Sequence, residues 1–264
     1  MPVQNRVIRT QAERLALAGL DHVTAITADG QACEDFYTHV LGIRAIEPNF
    51  DHGDAQSELA FAAPGSPALT FLVLPGARPG RPGTGAAHTA LWRIGDSALA
   101  KAWERVEAAG AETETVTALS GEPALRFRDP DGLAHELAAD PLLDPDAGPL
   151  LTGVRAHCSD YVHTADILCG RLDFKVAGPR TLNAGAGERA ALYVCDPTPG
   201  MPARAGAGSI DHVAWECEAG AQRIWRQRVI GMGVRVDPIR EGEHVRSLTF
   251  REPGGVTFEI VTRR

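Results

Sequence analysis

The sequence predicts an α+β fold built from four copies of one unit: a strand, a helix and then three strands. The first observation is a repeated phrase, since "FRDPDGLAHEL" (127–137) returns as "FREPGGVTFEI" (250–260) with a carboxylate at the same place, Glu136 and Glu259. The second is the sequence that precedes each phrase. "AAHTALWRI" and "SIDHVAWEC" are strand-like runs, and each precedes a helix-like run that ends in glycine. Self-similarity of this kind indicates an architecture of repeated units.

The first unit opens with "LDHVTAITADGQACEDFYTHVLGI". We predict its strand at 21–27 and a helix that carries Phe36, Val40 and Leu41 before Gly42. In the second unit, a helix is predicted over 96–110, because apolar residues recur on one face and a glycine follows as a stop signal. The residues in question are Leu99, Trp103, Val106 and Gly110.

The third unit opens more loosely at "LLTGVRAHCSDYVHTADILCGRLDF". After each helix come short apolar or alternating runs, such as "ALTFLVLPG" and "RSLTFREP", which are typical of strands separated by Gly, Pro and Asp turns. Loops are predicted at 75–85, 139–149 and 196–209. The second loop divides the chain into two tandem domains of two units each, 17–140 and 149–264.

Composition excludes several function classes. The 264 residues carry a formal charge of −8 and no basic run, which argues against nucleic acid and anionic membrane as partners. No apolar stretch reaches the roughly 18 residues of a membrane span, and the N-terminus lacks the apolar core of a signal peptide. The five cysteines have no CxxC spacing, which favours reduced thiols in a cytoplasmic protein over a cysteine-bound zinc.

Four such units resemble the vicinal oxygen chelate superfamily, which includes glyoxalase I, bleomycin-resistance proteins and extradiol dioxygenases. The phrases "LDHVTAITADGQACEDFYTHVLGIR", "NFD", "GSPALTFLVLPGARPGRPGTG" and "FREPGGVTFEI" are similar to the bacterial ring-cleaving branch that opens hydroquinones. The resemblance implies two tandem glyoxalase-like domains whose sheets curl into cups. It also implies one cup built by units one and four, a second built by units two and three, and a homo-oligomer.

The candidate metal ligands are His22, His212 and Glu259. The two histidines open the first strands of units one and four, and the carboxylate lies at the partner position of unit four. The resemblance implies that all three point into the first cup. Two imidazoles and one carboxylate leave coordination positions for substrate and O₂ on Fe(II), and Mn(II) suits the same donors. The reaction so implied is extradiol-type cleavage of a small dihydroxylated aromatic.

The chain departs from that branch around the metal. Members carry a His directly before the first metal ligand and a Tyr just before the "FREPGG" phrase, where this chain has Asp21 and Thr249. An Arg and a further His of the branch are replaced by Gly242 and Glu58. Plain hydroquinone is therefore a doubtful substrate.

Several residues are candidates to replace the lost catalytic groups. His244 and Arg246 lie in the segment that carries the family Arg, and an exposed loop position is the alternative for each. Asp21 and Thr249 complete the candidate catalytic set.

Two other functions stay open. A glyoxalase-type isomerase or lyase normally uses four protein ligands, but the first-unit partner strand, "ALTFLVL", offers no carboxylate. A protein that sequesters a small molecule without reaction is the other alternative.

The second cup is expected to have lost its metal. His88 and Glu136 are 48 positions apart, close to the 47 between His212 and Glu259, so unit two offers both at ligand-equivalent positions. Unit three offers only Thr152 where a His is needed. A buried Glu136 then requires a partner, and we name His88, Arg128 or Arg155 for that part.

Overall fold

The computed structural model describes residues 16–48, 57–242 and 245–263, and it contains the four predicted units. Each unit is a strand, a helix and three strands. Unit one is β1 (Leu17–Thr27), α1 (Gly30–Asp35, continued as a wider turn through Phe36–Val40), β2 (Ala45–Ile46), β3 (Glu58–Phe61) and β4 (Ala68–Val73). Unit two is β5 (Ala87–Ile94), α2 (Asp96–Ala108), β6 (Thr113–Thr117), β7 (Pro123–Arg128) and β8 (Ala134–Ala139).

The second half of the chain repeats the pattern. Unit three is β9 (Leu150–Cys158), α3 (Tyr161–Leu172), β10 (Lys175–Gly178), β11 (Thr181–Ala184) and β12 (Ala191–Pro197). Unit four is β13 (Ile210–Cys217), α4 (Gln222–Ile230), β14 (Arg240–Glu241), β15 (Val245–Arg251) and β16 (Thr257–Arg263). The predicted α+β fold is therefore confirmed.

The strands form two eight-stranded sheets. Units one and four make the first, in the order β14-β15-β16-β13-β1-β4-β3-β2, and units two and three make the second, β10-β11-β12-β9-β5-β8-β7-β6. Antiparallel pairs join the units, β1 with β13 and β5 with β9. The expected pairing of units is confirmed. Strand β1 is longer than predicted, because its buried leucines Leu17 and Leu20 extend the pairing to the far end of β13.

Aromatic cores connect the sheets on their helix-facing sides. Tyr37 of unit one packs against His135 of unit two, with ring centroids 5.7 Å apart. Phe174, which follows α3, packs edge-on against Trp215 of unit four at 5.0 Å. Each sheet thus joins the two halves of the chain, while each aromatic core lies within one half. The boundaries 17–140 and 149–264 stay a prediction.

Local signals set the helix ends. The carboxylate of Asp29 accepts hydrogen bonds from the first backbone N–H groups of α1, which is N-capping. Helix α2 packs Leu99, Trp103 and Val106 into the core, as its periodicity predicts. Gly110 follows at φ +79°, a left-handed conformation that suits glycine after a helix.

The repeated phrase builds the same turn twice. Asp129 and Glu252 occupy equivalent places, and each carboxylate accepts two backbone N–H groups of its own turn. Each also accepts a tyrosine hydroxyl from another unit, from Tyr37 at 2.9 Å and from Tyr193 at 3.1 Å. Part of the repetition is therefore structural, because a buried carboxylate needs these donors.

The loops at 75–85 and 139–149 lie where they are predicted, and the third runs from the end of β12 to β13. Within the described part of the chain, the longest helix has 13 residues, and none is long and apolar enough to cross a membrane. All five cysteines are free thiols.

Candidate metal centre

Three predicted ligands come together in the first cup. The Nε2 atoms of His22 and His212 lie 3.6 Å and 3.4 Å from Oε2 of Glu259. The potential ligand atoms all lie within 4.8 Å of one another. The three residues are 1%, 6% and 6% exposed, respectively. Two imidazole nitrogens and a carboxylate oxygen form a donor set that fits a divalent metal such as Fe(II) or Mn(II).

Strand register explains why these residues meet. In the antiparallel pair of β1 and β13, His22 lies opposite Ala214 and Thr24 lies opposite His212. Strand β16 runs parallel to β13 with Glu259 beside Ala214. Because side chains alternate between the two faces of a strand, these neighbours project into the same cup.

Each metal-candidate histidine is oriented by the aspartate before it. Nδ1 of His22 lies 2.8 Å from Oδ1 of Asp21, and Nδ1 of His212 lies 2.9 Å from Oδ2 of Asp211. A carboxylate that accepts Nδ1–H fixes the tautomer and leaves Nε2 to face the metal. The sequence signal is the dipeptide Asp-His, which occurs in both strands. Asp211 was missed as a functional residue.

The structure corrects the role expected of Asp21. One extra residue of β1 stands between the pairs of Leu20 and His22, so Asp21 forms a bulge. Asp21 is 1% exposed and lies behind His22, where Arg263 donates two hydrogen bonds to it at 2.9 and 3.0 Å. Burial alone would raise its pKa, but His22 and the arginines outweigh burial and lower the pKa. These contacts place Asp21 where it can orient His22, and not inside the cup.

The charges of the triad are strongly coupled. Burial lowers the pKa of His22. Burial acts in the same direction on His212, but hydrogen bonds to Asp211 and Glu259 outweigh it and raise the pKa to about 9. Burial opposes ionisation of Glu259, yet its contacts with His212 hold the pKa of this carboxyl far below its usual value. An ionised carboxylate beside two imidazoles is ready to receive a cation.

Two threonines complete the cup and were missed in the sequence. Oγ1 of Thr24 lies 2.7 Å from Oγ1 of Thr70 and 3.1 Å from Nε2 of His212. Thr70 pairs with Thr24 as Glu259 pairs with Ala214, so Thr70 is the unit-one equivalent of Glu259. A hydroxyl therefore replaces the carboxylate that a four-ligand site would need. Thr70 could have been located from the sequence to within one residue by applying the spacing between His212 and Glu259 to His22.

The remaining catalytic candidates have different positions. Thr249 lies directly opposite Glu259 across β15 and β16, on the same face of the sheet. Ser247, two residues earlier, is hydrogen-bonded to Glu259. Arg246 lies on the other face of β15 and is exposed, with Nε donating to Glu241 at 2.7 Å, so the exposed alternative describes its position. His244 lies outside the described residues.

In the second cup, the predicted histidine position is wrong by one residue. Glu136 pairs with Leu91 as Glu259 pairs with Ala214, so Glu136 is correctly placed. Counting back from Leu91, Thr89 is the equivalent of His212. His88 forms a bulge instead, where its ring stacks on His157 at 4.0 Å and Nε2 lies 3.1 Å from Asp196.

Arginines surround Glu136. Nη2 of Arg126 donates to its Oε2 at 2.8 Å, and Nη1 of Arg155 lies 3.6 Å from the same atom. Arg155 thus confirms one of the predicted partners, whereas Arg128 donates to a backbone carbonyl and Arg126 was missed. Gly153, rather than the predicted Thr152, is the equivalent of His22, because it pairs with Leu91 as His22 pairs with Ala214. Thr152 forms a bulge and donates to the carbonyl of Leu91. The residues above Glu136 enclose about 510 Å³.

Comparisons with known proteins agree with this architecture. The chain is 29% identical over 262 residues to the Bacillus subtilis protein named "Putative ring-cleaving dioxygenase MhqE", covering 92% of this chain and 86% of the relative. It is 27% identical to "Putative ring-cleaving dioxygenase MhqO" of the same organism, covering 92% and 84%.

Solved structures give the same result. The crystal structure of a "putative dioxygenase" from Bacillus subtilis superposes with a TM-score of 0.81 at 26% identity, covering 94% of this chain and 86% of that one. Glyoxalase I from Zea mays superposes with a TM-score of 0.69 at 16% identity, covering 92% of each chain, which shows a shared fold.

A sequence model of one family supplies the classification. The family is described as "Glyoxalase/Bleomycin resistance protein/Dioxygenase superfamily", and the match spans residues 19–137, which hold units one and two. The relatives extend the similarity over both halves of the chain, and each sheet is built from two units of the same strand-helix-three-strand pattern. Residues 19–137 therefore match the glyoxalase/bleomycin resistance protein/dioxygenase superfamily, and they form a domain of that kind.

Proposed function

We propose that the protein is a non-haem Fe(II)-dependent ring-cleaving dioxygenase of the extradiol type, acting on a small dihydroxylated aromatic. The observation that carries the proposal is the buried set of His22 Nε2, His212 Nε2 and one oxygen of Glu259. Such a triad leaves coordination positions for substrate oxygens and O₂, as non-haem iron oxygenases require. The names of the Bacillus subtilis relatives support the same reaction class.

The division of work among the residues follows from their contacts. His22, His212 and Glu259 would hold the iron, which supplies redox chemistry and a Lewis acid for the substrate hydroxyls. Asp21 and Asp211 keep both imidazoles with Nε2 toward the metal. The threonine hydroxyls of the cup would orient the substrate by hydrogen bonds.

The position of Thr70 supports this function over a glyoxalase-type isomerase. Four protein ligands need a donor from unit one at the place equivalent to Glu259, and Thr70 offers only a hydroxyl engaged with Thr24. Three ligands suit a metal that must also accept substrate and O₂. The cytoplasmic location and the homo-oligomer expected from the sequence stay predictions.

The test begins with metal and ends with oxygen. Protein purified without O₂ is analysed for iron, manganese, zinc and nickel, then loaded with Fe(II). Catechols, hydroquinones and their carboxylated or halogenated forms are screened for O₂ uptake and for loss of the aromatic absorbance. We expect about one iron per chain and one O₂ consumed per ring opened, since a dioxygenase places both oxygen atoms in its product.

Other outcomes decide against the proposal. Zinc or nickel with turnover of a thiol adduct supports the isomerase, and no metal with tight aromatic binding supports a sequestering protein. If Fe(II)-loaded protein consumes no O₂ with any compound and none perturbs the metal spectrum, the dioxygenase function is wrong. Because Thr249 stands where the branch carries Tyr, turnover of plain hydroquinone is expected to be weak.

A further inference from the structure

An arginine-lined cavity lies between the loop at 75–85 and the loop that precedes β13, and Asp211, which orients His212, is at its edge. It encloses about 310 Å³. Four arginines from different segments line it, together with small residues and threonines. The arginines are Arg81, Arg128, Arg204 and Arg251.

These four guanidinium groups are not neutralised by ion pairs. Elsewhere, arginines such as Arg93, Arg155 and Arg263 pair with carboxylates. No such pair involves the four cavity arginines among residues 16–48, 57–242 and 245–263. The carboxylate of Asp211 also lines the cavity, but it accepts a hydrogen bond from His212. Four cations with one engaged anion form a strongly positive cavity in a chain of net charge −8.

Backbone carbonyls hold the arginines in place. Each side chain donates one hydrogen bond to a carbonyl oxygen at 2.7–3.1 Å, which limits its motion. A guanidinium has five N–H donors, so one bond leaves most of them for a ligand. The acceptors are Gly132 for Arg128, Gly255 for Arg251, Pro202 for Arg81 and Pro79 for Arg204.

The cavity has two similar halves. Arg128 and Arg251 occupy the same place in the two copies of the repeated phrase. Arg81 and Arg204 face each other in an antiparallel bridge between the two loops. Glycine permits this close packing, since a Cβ on Gly83 would lie 2.5 Å from the backbone nitrogen of Ala203. The "GARPGRPGTG" and "FREPGG" phrases therefore build the walls of this cavity.

We propose that this cavity binds a small anion carrying two oxyanion groups, either phosphates or carboxylates. Planar guanidinium forks bind such groups bidentately. The four arginines form two repeat-related pairs, so they can provide two guanidinium groups for each of two acidic groups. The volume lies within the range of small-molecule sites. This inference is independent of the reaction proposed for the metal centre.

The experiment is titration calorimetry of the full-length, metal-loaded protein at constant low ionic strength. Pyrophosphate and succinate are the two probes, and acetate is the singly charged comparison. We expect one site per chain, with one or both probes binding at least about tenfold tighter than acetate. The stronger probe identifies the class of acidic group. Metal content is measured before and after, so that chelation by pyrophosphate is recognised.

Variants locate the site. Arg251→Gln should weaken binding by about tenfold or more, and Arg251→Lys should restore it only in part, because lysine keeps the charge but lacks the fork. Arg105→Gln is the matched control. Arg105 is also exposed and donates to a backbone carbonyl, that of Val40, but it lies outside the cavity. Thermal melts establish that each variant is folded.

Three results would overturn the proposal. One is failure of both probes to bind more tightly than acetate. Another is equal weakening by Arg105→Gln and Arg251→Gln, since binding would then follow net charge alone. The third is that neither probe binds to the protein while Arg251→Gln changes its sedimentation coefficient. The arginines would then form a contact between copies of the chain.

Discussion

The two cups are built from equivalent strands but have opposite interiors. The positions that hold His22 and His212 in the first cup hold Gly153 and Thr89 in the second. The carboxylate is retained in both, as Glu259 and Glu136. The difference is what faces it. Imidazoles surround Glu259, whereas guanidinium groups occupy the space around Glu136.

The strand register shows which positions of the first cup correspond to the two arginines around Glu136. Arg126 pairs with Glu136 as Thr249 pairs with Glu259, and Arg155 lies opposite Thr89 as Thr24 lies opposite His212. A buried carboxylate must be compensated, by a metal ion or by a fixed cation. The second cup carries its own cations, so its carboxylate needs no metal. The repeat thus preserves the fold in both cups, but only the first cup keeps the full set of candidate metal ligands.

The largest expected difference between the cups is in metal occupancy. His212→Ala removes one of three donors and should reduce bound iron to less than about a tenth of the wild-type value. Thr89→Ala, the equivalent change in the second cup, should leave occupancy unchanged. Elemental analysis of anaerobically loaded protein measures both, with thermal melts to verify folding. Full metal retention in His212→Ala would show that the triad is not the metal site.

A smaller effect on metal binding is expected for Asp21, which contacts the candidate ligand His22. Asp21→Asn keeps an oxygen near Nδ1 of His22 but removes the charge, and loss of such an orienting carboxylate costs roughly 10–100-fold in metal affinity. Competition against a metal-sensitive dye measures the change. Thr152→Ala alters the equivalent bulge in the second cup and should have no effect on metal affinity. Equal affinities for Asp21→Asn and wild type would reduce Asp21 to a structural role.

The third prediction concerns stability. Arg155→Met leaves Glu136 with one cation and Asp196 without its two hydrogen bonds at 2.8 and 2.9 Å. Removing one partner of a largely buried pair should lower the free energy of unfolding by about 1–3 kcal/mol. Arg93→Met breaks a more exposed pair with Asp140, for which about 0–1 kcal/mol is expected. Denaturant unfolding compares the two, and metal occupancy should not change in either variant.

Much of the first cup could be predicted from the sequence because its signals are spacings. His212 and Glu259 stand at repeat-equivalent places, and a period of two along a strand determines which side chains share a face. The second cup could not be predicted as well. The histidine was misplaced by one position: Glu136 lies 47 residues after Thr89, as Glu259 lies 47 after His212, so His88 corresponds to Asp211, and both stand at bulges.

Partners from other units were equally hidden. Arg155 reaches Glu136 from a different unit, and its contact depends on the pairing of β5 with β9 rather than on any local pattern. The face on which Arg246 lies could not be predicted either, because the start of β15 was needed to set the alternation. Sequence spacing therefore located the ligands, while strand register was required for the groups that compensate them.

The last prediction is the smallest effect, an attempt to give the second cup a metal. Thr89→His adds an imidazole at the position equivalent to His212, beside Glu136. A second imidazole cannot follow at Gly153, because its φ is +150° and a Cβ there would lie 2.1 Å from the carbonyl oxygen of Leu192. Two donors, one of them already engaged by Arg126, make a poor divalent site.

We therefore expect Thr89→His to bind one metal per chain, the same as wild type, in a titration followed by elemental analysis. Adding Arg126→Met and Arg155→Met separates the two obstacles. If the arginines alone exclude metal, the triple variant gains a second equivalent. If the crowded backbone at Gly153 is decisive, it does not, and we expect this second result because a tight site needs at least three protein donors. A second equivalent bound by Thr89→His alone would contradict the distinction between the cups.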